Sequence, residues 1–429
     1  MSNSQITKPI YSESYKRYVL YVLTGVYIFN FIDRQILVIL QESIKADLGL
    51  SDTQLGILTG LAFAIFYVTM GIPIARLADT HNRKKIIAAS VAVWSAMTVA
   101  SGHAMNFTQL LLARIGVGIG EAGSGPAAHS MISDYFPAHK RATAIAIYSM
   151  GIYIGIILGY AGGGWLDEFF GWRTALMLLG FPGILYAVFF YFTVKEPPRG
   201  YSENLSTKDA ANFSLLQVFG LLMSRKAFLC LAFASGFHAF VVYGVGNWLP
   251  SFLGRLHEME RGEIGTWLAL GSGGGGALGV WLGGYLTDKY GQNNRRMYLL
   301  IPTVAIAVSI PLLVLMLAAT NKYVVVGTNL VVKTLWGFYL APCIVMAHAM
   351  VGLRMRAMAS AVFNVFLSLI GLGLGPLFIG MASDYLAPEF GQESIRWALS
   401  MCIGMSMIAA FLFWRGSVFL EADLDRAPK

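Results

Sequence analysis

Four ionisable residues of this chain lie in stretches otherwise too apolar for water. Arg114 and Glu121 sit inside FTQLLLARIGVGIGEAGSGPAAHSMISDYF, residues 107–136, and Asp33 and Arg34 inside the first long apolar stretch. A full charge at bilayer depth costs about 3 kcal/mol or more, so such groups are kept for chemistry or for pairing. Arg114 and Glu121 are seven residues apart, two turns and roughly 10 Å along one helix face. Asp33 stands ~15 residues past the start of its stretch, about 22 Å along a helix, and Arg114 ~7 residues, about 10 Å, below the far end of its own. In a hydrocarbon layer ~30 Å thick these depths are similar. Adjacent helical residues point ~100° apart, so Asp33 is badly placed to neutralise Arg34, and the arithmetic favours Asp33 with Arg114. Glu121 falls deeper, beside Gly120 and Gly123, where it suits a cavity wall. The four charges sum to zero, as buried ionisable groups usually do. A carboxyl that exchanges a proton for an arginine partner is a proton switch; a static ion pair holding the fold is the competing reading.

Lys333 is a fifth such residue, near mid-bilayer in a half of the chain whose apolar stretches hold no acid. A lone desolvated ammonium is costly. Either it faces a cavity and an anionic group of a solute, or its stem snorkels to the interface. Tyr243 and Asn247, with Trp248 and Pro250, are placed to line the opposite wall. His129, His238 and His348 are scattered and read as helix-packing residues. No Ser-His-Asp set, H-E-x-x-H motif or paired cysteines occur, so catalysis, metal and cofactor are not expected.

The elements that must hold these groups are long helices. Of 429 residues, 56% are hydrophobic and 13% charged, about half the charge content of a soluble protein. Apolar runs long enough to cross ~30 Å of hydrocarbon recur, at roughly 18–40, 53–76, 85–104, 107–135, 141–164, 173–194, 226–253, 264–287, 297–319, 323–351, 357–382 and 396–417. The fold class is therefore an all-α polytopic membrane protein of about twelve spans. The polar gap at 195–225 divides it into an N-terminal six-helix bundle, residues 1–194, a linker, and a C-terminal six-helix bundle, residues 226–429. Lys and Arg crowd one set of loops, which the positive-inside rule places in the cytoplasm together with both termini. The net charge of +8 belongs to that rule, so nucleic acid is not an expected partner. The polar N-terminus, with no cleavage site after a short apolar core, is not expected to be a removable leader. Cys230, Cys343 and Cys402 all fall in apolar runs and read as small packing residues.

The two halves repeat. ARLADTHNRKK follows the second span and GYLTDKYGQNNRR the eighth, which sets Asp79 and Asp288 in equivalent places. KRATA, with Arg141, precedes the fifth span, and RMRAMA, with Arg356, the eleventh. Arg173 opens the sixth span and Arg396 the twelfth. A duplicated six-helix unit is the pattern of parallel-repeat transporters, whose solute site lies near the midplane between halves. Gly151, Gly155, Gly159 and Gly163 form a four-residue row expected to pack at the seam between bundles. Gly271 to Gly276 and Gly371, Gly373, Gly375 and Pro376 suit bending as the bundles rock.

The loop after the second span resembles the major facilitator superfamily signature G-x-L-x-D-R-x-G-R-R. It keeps Leu77, Asp79, Arg83 and Lys84, and departs at Ala75, Thr80 and Asn82. Its second copy keeps Gly284, Leu286, Asp288, Lys289 and Gly291. NFIDRQIL, RIGVGIGEAG, SDYFP, GWR and EPPRG are similar to the spinster branch of that superfamily, over essentially the whole chain. The resemblance implies a twelve-helix alternating-access carrier. It implies a gating latch in which the loop aspartate caps a neighbouring helix start and pairs with an arginine, here drawn from Asp79, Arg83, Asp288, Arg141 and Arg356. Loops that only set topology are the alternative for those residues. It further implies proton coupling at Asp33 and Arg114 and a substrate cavity at Glu121; Arg34 is a further substrate-binding candidate on the reading of its burial alone. Animal relatives resemble exporters of sphingosine-1-phosphate or lysophospholipids. The expected function is proton-linked secondary transport of an amphipathic or lipid-like solute by a monomer among membrane lipids. Drug/proton antiport and organic-anion carriage are alternatives within transport, and a lipid-binding receptor or membrane enzyme the alternative outside it. Short outer loops suggest a bacterial inner membrane.

Overall fold

Five of the helices begin at a capping side chain, Ser12, Ser51, Asn82, Asn106 and Asn321. Ser12 accepts the Tyr15 amide at 3.2 Å and opens α1, Glu13–Leu48, which ends at Gly49 in the left-handed region. Ser51 and Gln54 form a capping box that opens α2, Asp52–Thr80, so three residues turn the chain through one face. Asn82 caps α3, Arg83–Ser101, and Asn106 caps α4, 107–135. The α4 ladder breaks at 122–123, one turn before Pro126, whose missing N–H leaves the Ala122 carbonyl free. A single helical run, Ala138–Thr193, reverses at Gly171. Its φ of 78° suits glycine and divides the run into α5, 138–170, and α6, 172–193. The second half holds α7, Lys226–His257, α8, 261–291, α9, Met297–Ala318, α10, Lys322–Ala349, α11, 356–390, and α12, 394–425. The structure, a computed structural model, describes residues 11–201, 215–352 and 355–426. The middle of the expected linker, 202–214, and Arg354 of the RMRAMA stretch lie outside the described residues.

Hydrophobic burial divides the molecule into three cores. One is shared by both halves near the α1–α2, α5–α6, α7–α8 and α11–α12 turns, where Ile36, Leu40, Leu55 and Tyr160 pack with Val245, Trp248, Phe252 and Ile379. Toward the other face the core splits. Leu23, Trp94, Tyr135 and Phe190 centre one cluster in the first half, and Phe228, Leu299, Phe363 and Phe413 another in the second. The halves are thus joined at one face and have largely separate interiors at the other, where Leu372 of α11 reaches the first-half cluster.

The expected place of the α5 glycine row is corrected by its contacts. A Cβ on Gly155 would lie 2.6 Å from the Ile28 carbonyl oxygen and from Phe31 Cβ, and one on Gly159 2.8 Å from Gln35 Cβ. The row therefore seats α5 on α1 inside one half, because the apolar face of α1 passes there. The seam between halves uses other glycines. A Cβ on Gly56 would meet the Pro376 carbonyl oxygen at 2.7 Å, and one on Gly60 that of Gly373 at 2.9 Å. The flanking segments Ile57–Leu61, Ala269–Gly275 and Leu367–Leu374 are π-helical, wide turns that concentrate at functional sites. Gly155→Val is expected to destabilise the protein by at least the ~1–3 kcal/mol of ordinary overpacking, since backbone blocks relief. Gly162→Ala, whose Cβ finds its nearest neighbour at 3.9 Å, is the control. Equal melting temperatures in detergent would contradict this account.

Candidate functional site

The buried ionisable groups of α1 and α4 form two pairs. Asp33 and Arg114 are 4% and 3% exposed, and Arg114 Nη1 stands 3.7 Å from Asp33 Oδ2. That is an ion pair beyond hydrogen-bond length, and Asp33 Oδ2 and Arg114 Nε have no hydrogen-bond partner. At an effective dielectric of ~20 the attraction is roughly 4 kcal/mol, and it disappears when the carboxylate takes a proton. On its other oxygen Asp33 accepts from the Thr98 hydroxyl, which also lies 3.0 Å from the Trp94 carbonyl. A hydroxyl is donor and acceptor at once. It donates to an ionised Asp33, or accepts from a protonated one while donating to Trp94, so the pocket accommodates both forms.

The second pair is tight. Arg34 Nε donates to Glu121 Oε2 at 2.6 Å. The guanidinium lies 5.1 Å, 4.8 Å and 5.0 Å from the ring centroids of Phe31, Phe63 and Tyr67. Phe63 of α2 also faces Arg114 at 6.0 Å, so one ring touches both arginines. The Glu121 side chain is fully buried, behind Arg34. This corrects its expected place in the cavity wall: Arg34 lines the cavity and Glu121 neutralises it from the second layer.

The cavity lies between the halves and measures about 380 Å³. Arg34, Tyr27 and Tyr67 face it from the first half, and Tyr243, Asn247 and Lys333 from the second. Asn247 is partly committed elsewhere, since its side chain donates to the Thr59 carbonyl at 3.3 Å. Trp248 is not in the wall; it is buried and donates to the Pro376 carbonyl at 2.8 Å. The histidines pack: His129 edges onto Tyr148, His238 onto Tyr339, and His348 bonds Ser360.

Among the described residues, every hydrogen bond and ion pair between the halves lies at the face where the cores merge. Arg255 of α7 is bidentate to Asp52 of α2, both contacts at 2.7 Å, and meets Glu42 of α1 at 2.6 Å. Lys45 and Ser383 complete the Asp52 carboxylate at 2.5 Å and 2.7 Å. The Asp384 carboxylate of α11 accepts the amides of Asp52 and Thr53 at 3.0 Å and 2.7 Å, an anion on the α2 N-terminus. Gln41 reaches the Asn247 carbonyl and Ser251 at 2.7 Å and 2.6 Å. Sequence reasoning missed this lock, because Arg255 and Asp52 sit at span ends, where they read as loop charges.

The expected latch is arranged differently at the other face. Arg83 is 1% exposed and holds Asp134, Ser130, Glu196 and the Pro197 carbonyl. Glu196 of EPPRG also accepts the Lys84 amide at 2.8 Å, so it supplies the anion at the α3 start. Arg199 donates to the Ala78 and His81 carbonyls, which fastens 195–201 to the first half rather than leaving it a free linker. Arg83 is thus a clasp within one half, committed by its burial. Arg141 donates to the Ser133 carbonyl. Asp79, Asp288 and Arg356 are exposed and make no ion pair among the described residues.

Comparison with known proteins follows this geometry. Residues 23–376 match the family model of the Major Facilitator Superfamily. An MFS-type efflux pump of Mycolicibacterium smegmatis is 31% identical over 94% of this chain and 93% of its own. Protein spinster homolog 1 of Xenopus tropicalis is 28% identical over 96% of this chain and 83% of its own. The crystal structure of a bacterial homolog to the human lysosomal transporter Spinster, in an inward-facing and unoccupied conformation, superposes with a TM-score of 0.88 at 32% identity. That match covers 96% of this chain and 99% of the other.

Proposed function

Because this chain belongs to the major facilitator superfamily, in its spinster-type branch, we propose that it moves an amphipathic solute by alternating access and that protons drive the movement at Asp33 and Arg114. The coarser statement needs no proposal: it is a multi-pass integral membrane protein of a secondary-transporter family, with a transporter fold and not that of an enzyme. One observation carries the finer reading. A cavity between the halves is shut toward one face by cross-half ion pairs, and an acid–base pair that can gain or lose a proton lies beside it. Protonation of Asp33 releases Arg114, whose neighbour Phe63 touches the cavity-lining Arg34. That gives the proton a physical route to the solute site. The N-terminal and C-terminal halves then move as two bodies about the shared core. The Lys and Arg distribution supports a cytoplasmic location for the face opposite the lock and for both termini.

The test is uptake by purified protein in proteoliposomes under an imposed pH gradient. The panel comprises radiolabelled lysophosphatidic acid, sphingosine phosphate and the cationic dye ethidium. Accumulation that a protonophore abolishes is the expected result, and the solute accumulated separates lipid export from drug antiport. Flux equal to that of empty liposomes for every solute, with binding retained, would favour a receptor over a carrier.

A further inference from the structure

We propose that Lys333 is the docking point for an anionic group, a carboxylate or phosphate, at the polar end of the carried solute. The proposal rests on the transport reading for its context and on the cavity geometry for its chemistry. Lys333 is 8% exposed and its side chain faces the cavity between the halves. It stands eleven residues into α10, about 16 Å from that helix end, so snorkelling to the interface does not describe it. An ammonium has three donors. Among the described residues, Nζ finds one acceptor, the Val242 carbonyl at 3.5 Å, and makes no ion pair. The face of Trp336 lies 5.0 Å away and holds the head in place without neutralising it.

Two further features leave room for a ligand. Gly246 of α7 lies beside the head, and a Cβ there would stand 3.1 Å from Nζ. The other cation in the wall, Arg34, is already matched by Glu121. The uncompensated charge of the cavity is therefore that of Lys333, and it lies on the second half. Burying an unpaired ammonium is unfavourable, and an incoming anion relieves that while an incoming cation adds to it. The solute body is left to the tyrosines and apolar side chains of α1, α5 and α7, among them Tyr27, Tyr153 and Ile156.

The experiment measures binding of octyl phosphate, octanoate and octyltrimethylammonium to the full-length protein by calorimetry in maltoside detergent. Wild type is expected to prefer the two anions over the cation at least ~10-fold, the equivalent of about 1.4 kcal/mol. Lys333→Gln is expected to abolish the preference and Lys333→Arg to keep it. Gly162→Ala, whose added Cβ meets nothing nearer than 3.9 Å, is expected to bind octyl phosphate as wild type does, and binding in detergent needs no gradient or turnover, which separates failure of this site from failure of proton coupling. Equal affinity of wild type for anion and cation, or an undiminished preference in Lys333→Gln, would overturn the proposal.

Discussion

Asparagine in place of Asp33 is expected to bring pH-driven flux down to the level of empty liposomes, while the protein still inserts and elutes as a single species. The carboxylate is the partner Arg114 approaches at 3.7 Å, and its removal fixes the site in the state that protonation creates. Solute exchange without a gradient should persist and lose its dependence on pH. Because the pair is buried, a purely structural role predicts a fall in flux as well, through an uncompensated Arg114. Breaking a buried pair from one side typically costs ~3–5 kcal/mol. The double variant Asp33→Asn/Arg114→Gln distinguishes the two. It removes both charges, so a static pair would regain stability and flux together. A coupling pair would regain stability and stay inert to the gradient. Unchanged pH-driven flux in the single variant would end the switch mechanism.

Removing the Arg255 side chain should open the face at which the halves are now joined. Its bonds to Asp52 and Glu42 cross from one half to the other, so their loss weakens the closed arrangement and leaves the separated one untouched. Asp52 keeps Lys45 and Ser383, which places the loss near the lower end of the ~3–5 kcal/mol of a broken buried pair. About 3 kcal/mol is a shift of roughly 10²-fold between the two arrangements. Spin labels at Met105→Cys and Glu389→Cys, exposed on the two halves near that face, would report it by double electron–electron resonance. A longer-distance population should dominate in Arg255→Ala. An unaltered distance distribution would mean that the apolar core alone holds the face shut.

What the amino-acid order determined by itself is whatever accumulates along one chain. Twelve spans follow from the length of apolar runs, and the six-plus-six repeat from matched loop motifs. The approach of Asp33 to Arg114 follows from counting ~1.5 Å per residue from two helix ends, since depth in a bilayer is a sum over sequence. Direction around a helix axis is different, because it depends on which rods become neighbours. Hence the sequence left Arg34 without a partner until packing brought it to Glu121, and set Glu121 in a cavity wall that Arg34 occupies instead. It assigned the α5 glycines to the seam when they face α1, and Arg83 to a gate when Glu196 and Asp134 hold it in one half. The Arg255–Asp52 lock joins residues 203 positions apart, and Lys333 could be read two ways until its neighbours were known. Only the tertiary structure decides such contacts, because closing twelve rods around one cavity fixes azimuth and partner together, and no local stretch encodes either.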